Sequence, residues 1–285
     1  MIRSLPNGRS YLWSYHAFVV AYFVFLFAPL VVTCVLAFND SNFPSLPWNG
    51  LSFDWFFAAG PERIGVFNDA QNLRAILTSV QTAFFVSIMS VTVGTCASFL
   101  FEQENFRFKG LLYMLMLAPL VIPGVILGIA QLLAANTLGA FFDDVFGIDV
   151  EFLRPSFWLV VLGQFSFITT FVTLVVSARL RKFDRSLEEA ALNLGATPIG
   201  VIRYITLPYL KPSILSAGAV AFLMSFENFN TSLFLVGSSP TLPINLYLQV
   251  RDGSTPVINS ISFLLILGTS VMVLMNMYFS KKDKD

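Results

Sequence analysis

Apolar residues run along this chain in long blocks that are separated by shorter polar stretches. Six of these blocks reach the length of about 20 residues that a helix needs to cross a lipid bilayer. They are predicted at residues 17–38, 76–101, 111–135, 157–178, 212–236 and 257–279. The first block is longer than the apolar part of a cleaved signal peptide, about 7–15 residues, so we expect a retained anchor helix. The pattern therefore predicts an all-α integral membrane protein with six transmembrane helices.

The third block contains prolines, which disturb a helix, and glycines, which allow close packing between helices. Pro119 and Pro123 both fall inside it. Proline is tolerated in a membrane helix where neighbouring helices satisfy the carbonyl groups that it leaves free. We therefore predict a kinked third helix that is buried within protein. Gly124 and Gly128 form a G-x-x-x-G motif on the same segment, which favours close helix packing.

The composition narrows the class of protein further. Hydrophobic residues make up 56% of the chain and charged residues only 12%, against about 25% charged in a soluble domain. This excludes a disordered chain and a nucleic-acid binder with a basic face. Cys34 and Cys96 lie in separate apolar blocks and His16 is the only histidine, so we expect no disulfide, metal site or catalytic group. No G-x-x-x-x-G-K-[ST] motif occurs, and we expect no bound cofactor and no ATP hydrolysis by this chain.

The distribution of basic residues predicts the orientation of the helices. Loops on the cytoplasmic side of a membrane carry an excess of Lys and Arg. If the N-terminus is inside, thirteen of the 17 basic residues fall on the inner side. The loop between the fourth and fifth blocks alone holds six of them, namely Arg179, Arg181, Lys182, Arg185, Arg203 and Lys211. We therefore predict that both termini are cytoplasmic.

The same loop has structure of its own. Ser186 and Glu189 have the S-x-x-E spacing of a capping box, which predicts that this serine caps a helix over residues 187–194. Gly195 ends that helix as a left-handed residue. Thr197 followed by Pro198 then starts a second short helix, predicted over residues 198–204. Two short helices with a glycine turn form a compact knob that is suited to docking on a partner.

One motif in this loop identifies a family. The residues Glu189-Ala190-Ala191, Gly195, Ile205 and Leu207-Pro208 have the spacing E-A-A-x3-G-x9-I-x-L-P. This pattern resembles the EAA loop of ABC importer permeases, and every fixed position matches. The resemblance extends over most of the chain, and the order of elements is similar to the spermidine/putrescine branch. It implies a single permease domain over residues 1–285 with the type I importer permease fold, which is a five-helix core plus one N-terminal helix.

The resemblance also implies partners and a division of labour. Residues 183–211 would form a cytoplasmic coupling loop that docks on a separate ATPase, and that ATPase dimer would bind ATP and Mg²⁺. Further implied partners are a second permease subunit of different sequence and a periplasmic or extracellular substrate-binding protein, all at the inner membrane of a bacterium. The candidate coupling residues are Glu188, Glu189, Ala190, Ala191, Gly195, Ala196, Ile205, Leu207 and Pro208.

A carboxylate lies inside the fifth apolar block. A charge at this depth costs a few kcal/mol, so we expect Glu227 to face a water-filled path or a partner subunit. Glu227, Asn230 and Thr231 are predicted to share one helical face because they are spaced at i, i+3 and i+4. Carboxylates, amides and aromatic rings are suitable ligands for an ammonium group. The candidate substrate-path residues are Phe226, Glu227, Asn228, Asn230 and Thr231. The alternative is a structural polar network between two permease subunits.

Other polar residues of the third and fourth blocks have a simpler interpretation. Gln131, Asn136, Gln164 and Thr169 are expected to form hydrogen bonds between helices. The leading functional hypothesis is thus an importer permease for a small organic cation, with a polyamine as first candidate and another amine, iron or a thiamine-like cation as alternatives. Hypotheses of a different class are a secondary transporter, which internal repeats would favour, and an intramembrane enzyme.

Overall fold

The computed structural model describes residues 9–253 and 255–282, and the side chains of residues 10–253 and 255–271. Twelve α-helices lie within these ranges: α1 Arg9–Leu36, α2 Asp54–Phe57, α3 Ala70–Gln103, α4 Lys109–Val121, α5 Gly124–Phe146, α6 Phe157–Leu180, α7 Ser186–Asn193, α8 Pro198–Val201, α9 Leu207–Phe226, α10 Ser232–Leu235, α11 Leu242–Gly253 and α12 Val257–Lys282. A π-helical turn, Ile202–Thr206, joins α8 to α9. The described residues contain no strand, only two isolated bridges.

Five helices are long and apolar enough to cross a membrane, at Ser10–Leu36, Ala70–Gln103, Gly124–Phe146, Phe157–Leu180 and Pro198–Phe226. The sixth predicted block corresponds to α12, whose side chains are described only as far as Val271. The prediction of an all-α membrane fold is confirmed. Of the basic residues used to predict orientation, Arg3 and Lys284 lie outside the described residues.

The third predicted span differs from the structure. Instead of one kinked helix at 111–135, two helices meet at Ile122-Pro123, and both residues have extended backbone angles. Proline has no N–H to donate and disfavours a helical residue before it, so the helix ends here. Within this chain α4 has no buried residue and α5 has only Gly128 and Ala135, so burial of this span by protein stays a prediction that concerns a partner subunit.

The chain divides into two compact units, and the larger one spans Arg74–Tyr247. Its central element is α6, which has more buried residues than α4 or α5 and packs on α3 and α9. Small residues allow α3 to approach α6 closely: a Cβ added at Gly94 would lie 2.8 Å from Val172. Ser98 Oγ also donates to the Thr173 carbonyl oxygen at 3.0 Å. Close backbone approach together with interhelical hydrogen bonds is how helices associate in lipid.

The other unit combines the described residues up to Leu73 with those from Leu248 onward. Phe38, two residues after α1, packs on Phe263 of α12 with ring centroids 5.0 Å apart, and on Phe56 of α2 at 5.2 Å. In the segment between α1 and α3, the Arg63 guanidinium pairs with Asp40 at 2.5 Å and with Asp54 at 3.1 Å. This segment is therefore a folded structure with its own contacts.

Candidate coupling loop and substrate path

The predicted helix–turn–helix of the 183–211 loop is present. Helix α7 ends at a left-handed Gly195, whose φ is +88°. The Gly195 N–H donates to the Leu192 carbonyl at 2.9 Å and the Ala196 N–H to the Ala191 carbonyl at 3.0 Å. These two bonds form a Schellman motif, which satisfies carbonyls at the helix end. The prediction for Gly195 is confirmed.

The second helix of this loop also begins as predicted. The Thr197 side chain accepts a hydrogen bond from the Gly200 N–H at 3.2 Å. Pro198 occupies the first helical position, where its missing N–H costs nothing. A threonine cap of this kind contributes about 1 kcal/mol to the helix.

The start of α7 corrects one prediction. Ser186 is the first residue of the helix rather than its cap, and the capping box with Glu189 does not form. The Asp184 carboxylate instead accepts the Ser186 N–H at 3.0 Å. Hydrogen bonds from the side chain and the backbone of Ser186 lower the pKa of Asp184. A negative charge at a helix N-terminus is favourable, so Asp184 replaces the serine as the cap.

The end of the second helix corrects a second prediction about this loop. The predicted short helix over 198–204 continues without a stop through the π-helical turn into α9, as one apolar helix Pro198–Phe226. The Leu207 N–H donates to the Ile202 carbonyl, five residues earlier. We attribute this shift in register to Pro208, which lacks the N–H of a regular helical bond and crowds the preceding turn. Ile205, Leu207 and Pro208 thus lie within a long helix.

Much of this loop is exposed, and the exposed part is largely apolar. Leu194 is 90% exposed, Ile199 78% and Tyr204 74%. Ala190, Ala196 and Glu189 are also exposed, while Ala191 is half-buried. An added Cβ at Gly195 would have no neighbour within 4 Å among the described residues. The loop therefore presents a small apolar surface of the kind that marks an interaction site.

The opposite side of α7 is fixed to the rest of the chain. Arg185 donates to the Glu102 carbonyl at the end of α3 at 2.6 Å. Arg181 pairs with the Glu102 carboxylate at 2.8 Å, and this hydrogen bond raises the pKa of Arg181. Glu188 accepts a hydrogen bond from Thr206 Oγ1 at 2.5 Å. These anchors are not visible in the sequence pattern, because their partners are distant in the chain.

The candidate substrate path has a different geometry from the predicted helical face. Helix α9 ends at Phe226, and residues 227–231 form an irregular segment, the break, before α10. Glu227, Asn230 and Thr231 therefore do not share a helical face. Asn228 has a structural role, because its Oδ1 accepts both the N–H of Ser232 at 3.2 Å and the Oγ of Ser232 at 2.8 Å.

A buried glutamine holds the break against α6. Gln164 is fully buried. Its Nε2 donates to Ser232 Oγ at 2.7 Å, and its Oε1 accepts from Ser225 Oγ. The expected interhelical hydrogen bonds of Gln164 are confirmed. So are those of Gln131 with Ser166 at 2.8 Å and of Thr169 with Ser90 at 3.2 Å, whereas Asn136 is exposed. Ser225 and Ser232 are the members that the sequence analysis missed.

The break is also packed against the G-x-x-x-G motif of α5. A Cβ added at Gly128 would lie 2.7 Å from the Thr231 carbonyl oxygen, and one at Gly124 would lie 3.0 Å from the Asn230 Cβ. Thr231 Oγ1 also donates to the Gly124 carbonyl at 3.4 Å. The predicted close-packing face is confirmed, and its partner is the break rather than a regular helix.

The side chains of the break differ in how accessible they are to a ligand. Thr231 is buried, Phe226 and Asn228 are half-buried, and Glu227 and Asn230 are exposed. No described residue donates a hydrogen bond to the Glu227 carboxylate. Among the described residues there is no group of three or more His, Cys, Asp or Glu side chains that could hold a metal ion. A carboxylate free of partners in an apolar helical protein is suited to contact a cation.

Comparisons with known proteins agree with this architecture. Residues 90–284 match the family of binding-protein-dependent transport system inner membrane components. The putrescine transport system permease protein PotI of Escherichia coli strain K12 is 32% identical over 247 residues, which cover 86% of this chain and 82% of PotI. The spermidine/putrescine transport system permease protein PotC of Haemophilus influenzae is 27% identical over 273 residues, 94% of this chain and 96% of PotC.

A solved structure extends the agreement to the fold. A chain of a bacterial ABC transporter involved in the import of the acidic polysaccharide alginate superposes with a TM-score of 0.77 at 17% identity, over 95% of each chain. This confirms the type I importer permease fold. The chain belongs to the family of binding-protein-dependent transport system inner membrane components and is a permease subunit of an ABC importer.

Proposed function

We propose that this permease forms half of the translocation path for a small organic cation, a polyamine of the putrescine and spermidine class. The observation that carries the proposal is the 32% identity over 247 residues to a putrescine permease. It is supported by the exposed Glu227 carboxylate at the break. Phe229 and Tyr247, whose rings lie 5.1 Å apart, add an aromatic surface nearby in the chain. Aromatic faces and carboxylates both attract ammonium groups.

The second part of the proposal concerns coupling. Helix α7 docks in a groove of an ATPase subunit, one of a dimer that binds ATP and Mg²⁺, while this chain binds no cofactor. The contact residues are Glu189, Ala190, Ala191, Gly195 and Ala196. The exposed apolar side chains of the loop support a docking role. The helix from Pro198 to Phe226 leads from the loop to the break, a length of about 40 Å, so that movement of α7 reaches the substrate path.

The remaining partners follow from the same assembly. A second permease subunit of different sequence completes the path, and a binding protein delivers the substrate from outside the inner membrane. The apolar surface of α4, without a buried residue in this chain, is available to lipid or to the second permease. Both termini are cytoplasmic, in agreement with the basic residues of the 183–211 loop.

Transport by a reconstituted complex tests the substrate. The permease pair, the ATPase and the binding protein are placed in liposomes, and ATP-dependent uptake of radiolabelled putrescine and spermidine is measured. We expect uptake of at least one of the two polyamines. An excess of the other, unlabelled polyamine should reduce that uptake by competition. Uptake of thiamine or ferric iron with no uptake of either polyamine would contradict the proposal.

Cysteine labelling tests the orientation. In a chain without Cys34 and Cys96, single cysteines replace Ser238 and Ser186, which are both exposed. A maleimide that does not cross membranes is expected to label Ser238→Cys in intact cells and Ser186→Cys only after the membrane is opened. Labelling of Ser186→Cys in intact cells would reverse the proposed orientation.

A further inference from the structure

Two adjacent glutamates of α7 face in different directions. Glu189 is exposed, whereas Glu188 is half-buried. Both belong to the first turn of α7, and residues one position apart on a helix do not share a face. An ATPase that docks on the exposed side of α7 would meet Glu189 and not Glu188. The two residues therefore call for two different roles.

The contacts of Glu188 are within this chain. Its Oε1 accepts a hydrogen bond from the Oγ1 of Thr206 at 2.5 Å, and Gln103 Nε2 lies 3.4 Å from the same oxygen. Thr206 is fully buried and Gln103 is the last residue of α3. Hydrogen bonds to a carboxylate are about twice as strong as those between neutral groups. Glu188 thus links α7 to two other helices.

The position of Thr206 connects this link to the π-helical turn, through which movement can pass to α9. Thr206 is the last residue of the π-helical turn, directly before α9. A π-helical turn has an irregular hydrogen-bond register and occurs frequently at functional sites. Pro208 follows Thr206 by two residues and cannot supply the backbone donor of a regular turn. A movement of α7 would therefore be passed to the irregular turn, at the base of the helix that leads to the break.

We propose that Glu188 is a positioning residue that transmits the movement of α7 to the π-helical turn through Thr206 and to α3 through Gln103. This role rests on the proposed docking of α7 on an ATPase. It replaces the contact with the ATPase that was predicted for Glu188 as a candidate coupling residue, and it leaves that contact to Glu189. The predicted consequence of losing the link is an importer that still assembles and hydrolyses ATP but transports little substrate for each ATP.

The test removes the donor of the link while keeping the shape of the side chain. Thr206→Val replaces the hydroxyl by a methyl group, and Thr206→Ser is the matched control that keeps the hydroxyl. In the reconstituted complex we expect Thr206→Val to retain the ATPase on purification. Its substrate transported per ATP hydrolysed should fall about tenfold. Thr206→Ser should restore the ratio to within about twofold of the unchanged protein.

A second variant examines the acceptor. Glu188→Ala is expected to lower the same ratio by at least as much as Thr206→Val, because it also removes the contact with Gln103. The double variant should be no worse than Glu188→Ala alone, because that change already removes the link to Thr206. An unchanged ratio in Thr206→Val, or an equal loss in Thr206→Ser, would overturn the inference. Loss of the ATPase from the Thr206→Val complex would also overturn it, because Thr206 would then support docking itself.

The docking of α7 on the ATPase can be tested separately from the role of Glu188. Glu189→Arg places a bulky cation on the exposed side of α7 and is expected to release the ATPase during purification. If Glu189→Arg keeps the ATPase and transports at the normal rate, docking on α7 is contradicted whatever the Thr206 variants do. If Glu189→Arg releases the ATPase while Thr206→Val transports normally, docking holds and the role of Glu188 is refuted.

Discussion

The loop at one end of the long helix Pro198–Phe226 and the break at its other end are built in different ways. Within the loop, the turn is made by neighbours in sequence: Gly195 bonds to Leu192 and Thr197 to Gly200. At the break, Asn228 is held by Ser232, which in turn bonds to Gln164 in another helix. The turn of the loop is thus shaped by local chemistry, whereas the break is shaped by contacts between distant parts of the chain.

This difference has a functional consequence. A loop that is shaped by its own residues can present the same surface while its surroundings move, which suits a docking element. A break that is braced by α5 and α6 changes shape only if those helices move with it. Changes in the loop should therefore affect contact with the ATPase, and changes in the break should affect the path of the substrate.

The largest effect is expected at the turn of the loop. Gly195→Arg places a side chain on a backbone with φ of +88°, at a cost of about 1–2 kcal/mol. Because no described residue of this chain would touch its Cβ, the added bulk projects toward the docking partner. We expect uptake to fall to background and the ATPase to be lost on purification. Gly195→Ala is the matched control, because it shares the strain without the bulk.

The Gly195→Ala control shows whether backbone strain or the loss of docking causes the loss of uptake in Gly195→Arg. If Gly195→Ala is as inactive as Gly195→Arg, the left-handed turn itself is the essential feature. Full uptake by Gly195→Arg would contradict the assignment of the loop as a docking element.

The next largest effect is expected at the carboxylate of the break. Glu227→Gln keeps the shape of the side chain and removes its charge. If Glu227 lines the path of a cation, the loss of a charge-assisted hydrogen bond of about 1.5–3 kcal/mol lowers uptake about ten- to a hundredfold. The ATPase should still co-purify, because the loop is unchanged.

The competing role for Glu227 predicts a different result. A carboxylate that joins two permease subunits would, when neutralised, release the second permease from the complex. Asn230→Ala, which alters an exposed amide of the same break, shows whether the effect depends on the charge. An intact Glu227→Gln complex with normal uptake would reject both roles.

A smaller effect is expected where the break packs on α5. A Cβ at Gly128 would lie 2.7 Å from the Thr231 carbonyl oxygen, and crowding of this kind costs about 1–3 kcal/mol. We expect Gly128→Ala to lower the thermal midpoint of the purified complex and to reduce uptake. Gly139→Ala on the same helix is the control, because its Cβ would lie 3.8 Å from Leu153. Equal effects of the two changes would contradict the close contact at Gly128.

The two regions also differ in how far the sequence predicts them. Gly195, Thr197 and Pro198 act within one turn, so their roles follow from the residues beside them. The end of α9 at Phe226 does not, because apolar residues resume after the break and the predicted span continues to Val236. The polar residues of the break were visible, but a helical spacing was assumed for them. Their actual arrangement depends on Gln164 and Gly128, which belong to other helices.

The early start of the long helix has a similar origin. A stop before Leu207-Pro208 is the ordinary expectation, since the residue before proline disfavours the helical conformation. The π-helical turn avoids this stop by shifting the hydrogen-bond register. Packing of Leu210 and Ala217 in the core of the larger unit supports the continuous helix. Tertiary contacts of this kind are not visible in a local pattern.

The smallest effect is expected from the local cap of α8. Thr197→Ala removes the acceptor of the Gly200 N–H, which costs about 1 kcal/mol of helix stability. Because α8 continues into a long helix that is packed along the chain, we expect a small fall in the thermal midpoint and at most about a twofold fall in uptake. Thr197→Ser should behave as the unchanged protein. A loss of uptake as large as that of Gly195→Arg would mean that the turn between α7 and α8 is not held by independent local contacts but, like the break, by one cooperative network.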